Sequence, residues 1–150
     1  MKTLCVIPCG KRKVWDRDPN AGPTQAQFVY IGPFASACRR YAQNFHQDRW
    51  CILSAKHGIL FPGDIVPSPY NVTFNDKSTA PVSEDFVTIQ AKRLQSVYER
   101  IVVLGGRNYV DICKTAFPSS KIVTPLSGCG GIGTMMSKMK AAIESGTSLI

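Results

Sequence analysis

The stretch TLCVIPCGKRK, residues 3–13, joins a short apolar run to a glycine and three cations. A continuous run rich in valine and isoleucine is typical of a strand whose two sheet faces are both covered. The glycine and the cations follow the carboxyl end of that strand, which is where open α/β sheets bind their ligands. Residues 3–13 therefore predict both an α/β fold and the position of a binding site.

Three further segments have the same apolar character: residues 50–54 (WCILS), 101–104 (IVVL) and 121–125 (KIVTP). A helix is predicted between the first two strands, because apolar side chains recur there at helical spacing. These side chains are Phe34, Ala37, Cys38, Tyr41 and Phe45. Ser83 predicts the N-cap of a second helix, and Pro118 ends a third. Residues 132–143 predict the last helix.

The alternation of strands and helices favours parallel pairing with right-handed crossovers. We therefore predict one α/β domain over residues 1–150, with a four-stranded, mainly parallel sheet and helices on both faces in three layers. Two long irregular stretches, residues 11–33 and 59–81, interrupt this pattern. Loops of that length inside a small domain are usually functional.

The composition limits the classes of protein to consider. A hydrophobic fraction of 44% excludes wholesale disorder, and no apolar run approaches the roughly 18 residues needed to cross a bilayer. Cations follow the first apolar run at once, whereas a secretory signal peptide needs a longer apolar region. The sequence thus predicts a cytoplasmic protein with no membrane partner, and it leaves the oligomeric state open.

The net charge of +8 favours a phosphorylated or polyanionic partner, with simple solubility as the alternative explanation. The six cysteines form no C-x-x-C pair, and four of them fall at apolar positions typical of buried, reduced thiols. His46 and His57 lack metal-ligand spacing with any cysteine. We therefore expect no metal and no cofactor.

Glycine follows all four predicted strands, and cations follow the first three. Because the carboxyl ends of parallel strands meet at one edge, these residues are expected to form a single ligand-binding rim. The predicted substrate-binding residues at the strand ends are Cys9, Gly10, Lys11, Arg12, Lys13, Ser54, Gly105, Gly106, Arg107, Ser127, Gly128 and Gly130. In the long loops, Tyr30, Tyr70 and Asn71 complete the predicted substrate-binding set. Tyr30 or Tyr70 is expected to stack on a base.

Gly128, Gly130 and Gly133 match the pattern G-x-G-x-x-G ahead of the last helix. A dinucleotide site also needs a following strand and an acidic residue about 20 positions on. Here no further strand is predicted after the last helix, and Glu144 is the only later acidic residue. NAD is therefore excluded. The glycines predict either a cradle for a phosphate or carbonyl, or a turn that lets the helix pack closely.

Four residues are candidates for catalysis. The loop carboxylates Asp16 and Asp64 are suited to activating water, and Lys56 or His57 to stabilising charge on a leaving base. A purely structural role for His57 stays open. Cys9 is a further candidate nucleophile, if the neighbouring cations lower the pKa of its thiol.

Several motifs occur in order along the first half of the chain: C-G-K-x-K from Cys9, Y-x-G-x-F from Tyr30, LSAKHGIL over residues 53–60, and Pro69-Tyr70-Asn71. In this combination the chain resembles a family of small phage and bacterial α/β domains of unassigned function. That family usually has Tyr in place of His57 and Asp in place of Asn71. The resemblance therefore implies that His57 is not an essential base and that Asn71 recognises ligand by hydrogen bonds.

A looser likeness is carried by Pro125-Leu126-Ser127 at the end of the last predicted strand. It is similar to the end of a motif in the uracil-DNA glycosylase superfamily, whose members have a four-stranded parallel sheet. This chain lacks that motif's histidine, and Gly10-Lys11-Arg12-Lys13 stands where the glycosylases have their water-activating motif. The likeness implies a domain that handles nucleobases.

Together these features predict an enzyme directed at a nucleotide or nucleic acid, acting at a nucleobase or N-glycosidic bond. The alternative is a DNA- or RNA-binding module without catalysis. A nucleotide or phosphosugar sensor, and a basic domain with a ligand that is not nucleic, also stay open.

Overall fold

The computed structural model describes residues 2–150 of the chain. In chain order the strands are β1 (Thr3–Pro8), β2 (Thr24–Gln25), β3 (Trp50–Ser54), β4 (Gly58–Leu60), β5 (Ile65–Val66), β6 (Arg100–Val103) and β7 (Lys121–Val123). The helices are α1 (Val14–Arg17), α2 (Ala26–Val29), α3 (Pro33–Phe45), α4 (Glu84–Gln95), α5 (Arg107–Ala116) and α6 (Ile132–Ser145).

The main sheet has five strands in the order β4-β3-β1-β6-β7. The central strand β1 pairs in parallel with both neighbours, so that Val6 lies opposite Cys51 on one side and Val103 on the other. All four predicted strands are present and run parallel. The predicted number of strands is wrong, because β4 adds a fifth, antiparallel to β3. Its three residues follow a tight turn and are too few to show a strand pattern in the sequence.

Helices cover both faces of the sheet. Cys5 and Ile7 of β1 face the core beneath α3 and α6, whereas Leu4 and Val6 face the core beneath α4 and α5. This alternation follows from the two-residue period of a strand. Both faces of β1 are therefore shielded from solvent, which explains its unbroken apolar sequence and confirms the three-layer arrangement.

The predicted helices form close to their expected positions. The Oγ of Ser83 accepts a hydrogen bond from the backbone N–H of Phe86 and caps α4, as predicted. Helix α5 ends with Phe117 as its C-cap, immediately before Pro118. All six cysteines are free, and the four at apolar positions are buried. Within residues 2–150 the structure contains no helix with the length and hydropathy of a membrane span.

The two long irregular stretches contact each other. Residues 11–33 contain α1, β2 and α2, and residues 59–81 contain most of β4, together with β5 and a 3-10 turn at Lys77–Thr79. The short strands β2 and β5 pair in an antiparallel fashion, with Thr24 opposite Val66. This pairing joins the stretches beside the carboxyl ends of β1 and β3, where they form the walls of the site.

Candidate functional site

The segment after β1 is held by a small capping arrangement. The backbone N–H of Lys13 donates to Oδ2 of Asp16 at 2.8 Å, at the start of the single-turn helix α1. Lys13 also forms an isolated antiparallel bridge with Tyr30, which precedes α3. The backbone of Lys13 is thus fixed on two sides.

Lys13 is almost completely buried, with 5% of the residue exposed. Nζ donates to the carbonyl oxygen of Lys11 at 3.1 Å and lies 4.5 Å from the centre of the Tyr70 ring and 6.0 Å from that of Tyr30. The ring faces partly offset the cost of burying the charge. Burial lowers the pKa of Lys13, and the nearby Cys9 and Asp16 oppose this shift.

A chain of hydroxyl groups lies beside this lysine. The Oγ of Ser54, which is 0% exposed, accepts the backbone N–H groups of Lys56 and His57 at 3.2 and 3.0 Å. Its own proton is then available for the Tyr70 hydroxyl, 2.9 Å away. The Tyr70 hydroxyl also hydrogen-bonds to that of Tyr30. Burial raises the pKa of Tyr70 to about 12 and that of Tyr30 further, so both phenols are neutral at ordinary pH.

On the other side of the first strand, the Sγ of Cys9 lies 3.3 Å from the Tyr109 hydroxyl. Gly105 leaves room for this tyrosine, because a Cβ at that position would lie 3.3 Å from the ring. Burial raises the pKa of the Cys9 thiol more strongly than the Tyr109 hydrogen bond and Lys13 lower it. The expectation of a cation-activated thiolate is therefore wrong, and Cys9 is a neutral thiol.

Two hollows lie side by side at this end of the sheet. The Tyr70 hollow, about 450 Å³, is lined by Lys11, Lys13, Trp15, Asp16, Tyr70, Asn71 and Pro69. The Tyr109 hollow, about 470 Å³, is lined by Cys9, Gly10, Lys11, Lys13, Asn71, Tyr109 and, from the loop of residues 72–79, Val72, Thr73, Asn75, Asp76 and Thr79. They share Lys11, Lys13 and Asn71, and together we call them the cleft.

Several residues that line the Tyr109 hollow were not predicted from the sequence. The carboxylate of Asp76 accepts the N–H and the hydroxyl of Ser78, and these bonds lower its pKa. Asn75 accepts a hydrogen bond from Asn108 at the start of α5, which ties the loop to that helix. The only sequence signal for Tyr109 was its position one helical turn beyond Gly105, where a predicted strand end meets a helix.

The predicted site residues divide into three groups. Those that line the cleft are Cys9, Gly10, Lys11, Lys13, Asp16, Tyr70 and Asn71. Those that support it without lining it are Ser54, Tyr30 and Gly105, with Gly106 as the N-cap of α5. Those absent from the lining, among residues 2–150, are Arg12, Lys56, His57, Asp64, Arg107, Ser127, Gly128 and Gly130.

Tyr30 differs from its predicted role. It is 4% exposed and its hydroxyl is bound to that of Tyr70, so its ring is not accessible for stacking on a base. Of the two tyrosines, only the half-buried Tyr70 presents a surface to the cleft. The prediction for Tyr30 is corrected accordingly.

His57 and Lys56 reach the cleft only through Tyr70. The His57 ring packs edge-on against the Tyr70 ring at 5.3 Å, and the Lys56 ammonium lies 5.6 Å from the same ring. Burial, together with the charge of Lys56, lowers the pKa of His57, so the imidazole is neutral at pH 7. Its Nε2 is buried and has no hydrogen-bond partner among residues 2–150. This placement favours a structural role for His57.

Asp64 lies in a turn between β4 and β5. Its Oδ2 accepts the N–H of Phe61 at 2.8 Å, and its carbonyl oxygen accepts the N–H of Ala26 at 2.7 Å. The side chain therefore stabilises its own turn and lies outside the lining of the cleft. This geometry does not favour Asp64 as a group that activates water.

The glycine-rich segment before α6 also lies apart from the cleft. Gly128 has a φ of +82°, a conformation that favours glycine, and Gly131 is the N-cap of α6. Ser127, Gly128 and Gly130 are exposed, while Leu126 packs into the core. The arrangement favours the turn interpretation over the phosphate cradle.

Comparison with known proteins places the chain in a family. A model described as a family of unknown function, DUF6884, matches residues 4–141. The chain is also 42% identical over 146 residues to the uncharacterized protein YfjM of Bacillus subtilis (strain 168). That similarity covers 96% of this chain and 97% of the relative. The match extends well beyond the first half of the chain, where the ordered motifs lie, and the protein belongs to the family DUF6884.

Proposed function

We propose that this protein is an enzyme that binds a nucleotide, free or within a nucleic acid, in the cleft and acts at its base or N-glycosidic bond. The supporting observation is the lining of the Tyr70 hollow. It combines the cation of Lys11, the carboxylate of Asp16, the aromatic ring of Tyr70 and the amide of Asn71. These are the groups needed for a phosphate, an attacking water and a base.

The phosphate is assigned to Lys11. Its side chain is exposed at the mouth of both hollows, and the exposed Arg12 follows it directly. Lysine binds phosphate as a point charge and arginine as a two-pronged donor. The net charge of +8 favours approach of such an anion.

The base is assigned to Tyr70 and Asn71. The hydroxyl of Tyr70 is occupied by Ser54 and Tyr30, so the ring is held in one orientation before any ligand binds. An aromatic ring accepts any base by stacking, whereas the amide of Asn71 has both donors and an acceptor for its polar edge. Tyr70 supplies affinity and Asn71 supplies selectivity.

The attacking water is assigned to Asp16. One carboxylate oxygen, Oδ2, accepts the Lys13 N–H and fixes the group, and the carboxylate borders the hollow. It orients a water, whose oxygen forms a bond to the sugar C1′ while the bond from C1′ to the base nitrogen breaks. One proton of that water passes to the base nitrogen, and the other stays on the new C1′ hydroxyl. The likeness of Pro125-Leu126-Ser127 to the glycosylase motif agrees with this ligand class, although Ser127 lies outside the cleft.

The test is release of free base from mononucleotides and from oligonucleotides that carry each base. Asp16→Asn keeps an acceptor for the Lys13 N–H but loses the charge, so kcat should fall about 100-fold or more while binding persists. Asp18→Asn is the matched control, because Asp18 is exposed and, within residues 2–150, its carboxylate bonds only to the nearby Asn20 N–H. Equal activity of the two variants would remove Asp16 from the reaction.

The second candidate is a DNA- or RNA-binding module without catalysis. It is favoured by exposed cations outside the cleft lining, such as Arg12 and Lys56. Its signature is binding whose logarithm falls steeply with the logarithm of salt concentration, without competition by mononucleotides. That result, with no base released, would replace the proposed enzyme by this module. Absence of binding to any nucleotide or oligonucleotide would contradict both.

A further inference from the structure

We propose that Lys13 is an amine nucleophile, which forms an imine with the aldehyde of a sugar phosphate held in the cleft. The inference rests on the proposed function for the class of ligand, a pentose phosphate. For the nucleophile it rests on the position and surroundings of the lysine itself. Lys13 contributes to the lining of both hollows, although only 5% of it is exposed.

The position of Lys13 is fixed more firmly than that of an ordinary surface lysine. Its backbone is held by the carboxylate of Asp16 and by the bridge to Tyr30, and its ammonium by the carbonyl of Lys11 and the ring of Tyr70. A nucleophile held in one place avoids most of the entropic cost of meeting its substrate. Lys11, two residues away, is exposed and provides a natural comparison.

The surroundings of the Lys13 ammonium favour the neutral amine. Within the described part of the chain it has one hydrogen-bond acceptor, the Lys11 carbonyl, and no carboxylate forms an ion pair with it. The other neighbours are the neutral phenols Tyr30 and Tyr70, the thiol of Cys9, and the carboxylate of Asp16, whose charge opposes the loss of the proton. Burial lowers the pKa of Lys13. Desolvation of this kind is a recognised way of activating a lysine for attack on a carbonyl.

The reaction balances without an oxidant or reductant. The neutral amine of Lys13 attacks the aldehyde carbon, the C–N bond forms, and the carbonyl oxygen becomes a hydroxyl by taking a proton from the nitrogen. The carbon–oxygen bond then breaks, the oxygen leaves as water with the second amine proton, and a C=N bond remains. Hydrolysis of an N-glycosidic bond leaves a hemiacetal at C1′, which opens to the aldehyde required. The product of the proposed first reaction is thus the substrate of this step.

The first experiment uses the unmodified full chain. The protein is incubated with 2-deoxyribose 5-phosphate and cyanoborohydride, which reduces an imine to a stable secondary amine, and the modified lysines are mapped by peptide mass spectrometry. We expect Lys13 to be modified at least 10-fold faster than Lys11. Equal or slower modification of Lys13 would overturn the proposal, and no variant has to fold for this outcome to be read.

The second experiment uses an oligonucleotide that contains one abasic deoxyribose, with borohydride as the trap. Lys13→Arg keeps the positive charge but cannot form an imine, so the covalent adduct should disappear, whereas Lys92→Arg, at an exposed lysine of α4 outside the lining of the cleft, should retain it. Thermal unfolding of both variants checks that the fold is kept. An adduct that survives in a folded Lys13→Arg variant would contradict the assignment.

The two proposals fail in different ways. A protein that releases base but gives no trapped adduct leaves the proposed function intact and overturns the imine. Conversely, a protein that traps the sugar phosphate at Lys13 but neither binds nucleotides nor releases base overturns the proposed function and leaves the imine. The outcomes for base release and for imine formation can therefore be told apart.

Discussion

The ammonium of Lys13 lies 4.5 Å from the centre of the Tyr70 ring, inside the protein and beside the carboxyl end of the central strand. The two residues are far apart in sequence, and each belongs to a different irregular stretch. The contact exists because the stretches pair through β2 and β5 and because Ser54 fixes the Tyr70 hydroxyl from the end of β3. A cation and an aromatic ring are thereby placed at one ligand-sized hollow.

The buried phenol of Tyr70 predicts a loss of stability at high pH. Its pKa is raised from 10.0 to about 12, so between these values the unfolded chain loses a proton that the folded chain keeps. The free energy of unfolding should therefore fall by up to about 1.4 kcal/mol per pH unit from this group. Urea unfolding of wild type and Tyr70→Phe between pH 9 and 12 measures it. We expect a shallower fall in the variant, and parallel curves would assign the alkaline loss to other groups.

The hydroxyl of Ser54 predicts a large structural effect for a one-atom change. Ser54→Ala leaves the N–H groups of Lys56 and His57 without their acceptor and the Tyr70 hydroxyl without its donor, all beside a fully buried side chain. The expected loss is about 2–3 kcal/mol of unfolding free energy. Ser96→Ala is the control, since Ser96 is exposed and bonds only to its own helix end. A loss as small as that of the control would show that the hydroxyl chain contributes little.

The apolar runs of the strands explain why most of the sheet was predictable from the sequence. The strands β1, β3 and β6 are visible in the sequence because helices cover both faces of the sheet there, which makes most of each strand apolar. The edge strand β7 is only partly buried and shows a shorter apolar run, Ile122-Val123. The strand β4 was missed because its pairing depends on a turn at Gly58, where φ is +72° and Gln90 of a distant helix bonds to both sides of the turn. Such a contact between distant segments leaves no local pattern.

In the site too, features with a local sequence pattern were predicted, and features that depend on distant contacts were not. Lys11 and Lys13 were predicted because they follow a strand directly, and chain order is enough to place them at its end. Burial was not predictable for Lys13, since it depends on Tyr70 and Tyr30 folding over its side chain. Tyr109 was missed because its contact with Cys9 joins residues 100 positions apart.

The absence of a side chain at Gly105 lets the Tyr109 ring of α5 pack closely beside the cleft. A Cβ at this position would lie 3.3 Å from Cβ and the ring of Tyr109, so Gly105→Ala must displace that ring by a few tenths of an ångström. We expect a loss of about 1–2 kcal/mol, a typical cost of overpacking, and weaker ligand binding because the Tyr109 hydroxyl moves from Cys9. Gly63→Ala is the control, since nothing lies within 4 Å of its added Cβ. Binding unchanged in Gly105→Ala would exclude the Tyr109 hollow from the ligand site.

The sequence predicts that Asp64 activates water, whereas the geometry favours a role in stabilising its own turn. Its carboxylate accepts the Phe61 N–H in an exposed turn, and it does not line the cleft. Asp64→Ala should therefore cost about 0.5–1.5 kcal/mol of stability, as for the loss of one hydrogen bond, while base release by the folded protein stays at the wild-type rate. Denaturant unfolding and the base-release assay measure the two effects on one sample. Because Asp16→Asn is expected to show the reverse pattern, a fall in turnover at Asp64 without a fall in stability would transfer the water-activating role from Asp16 to Asp64.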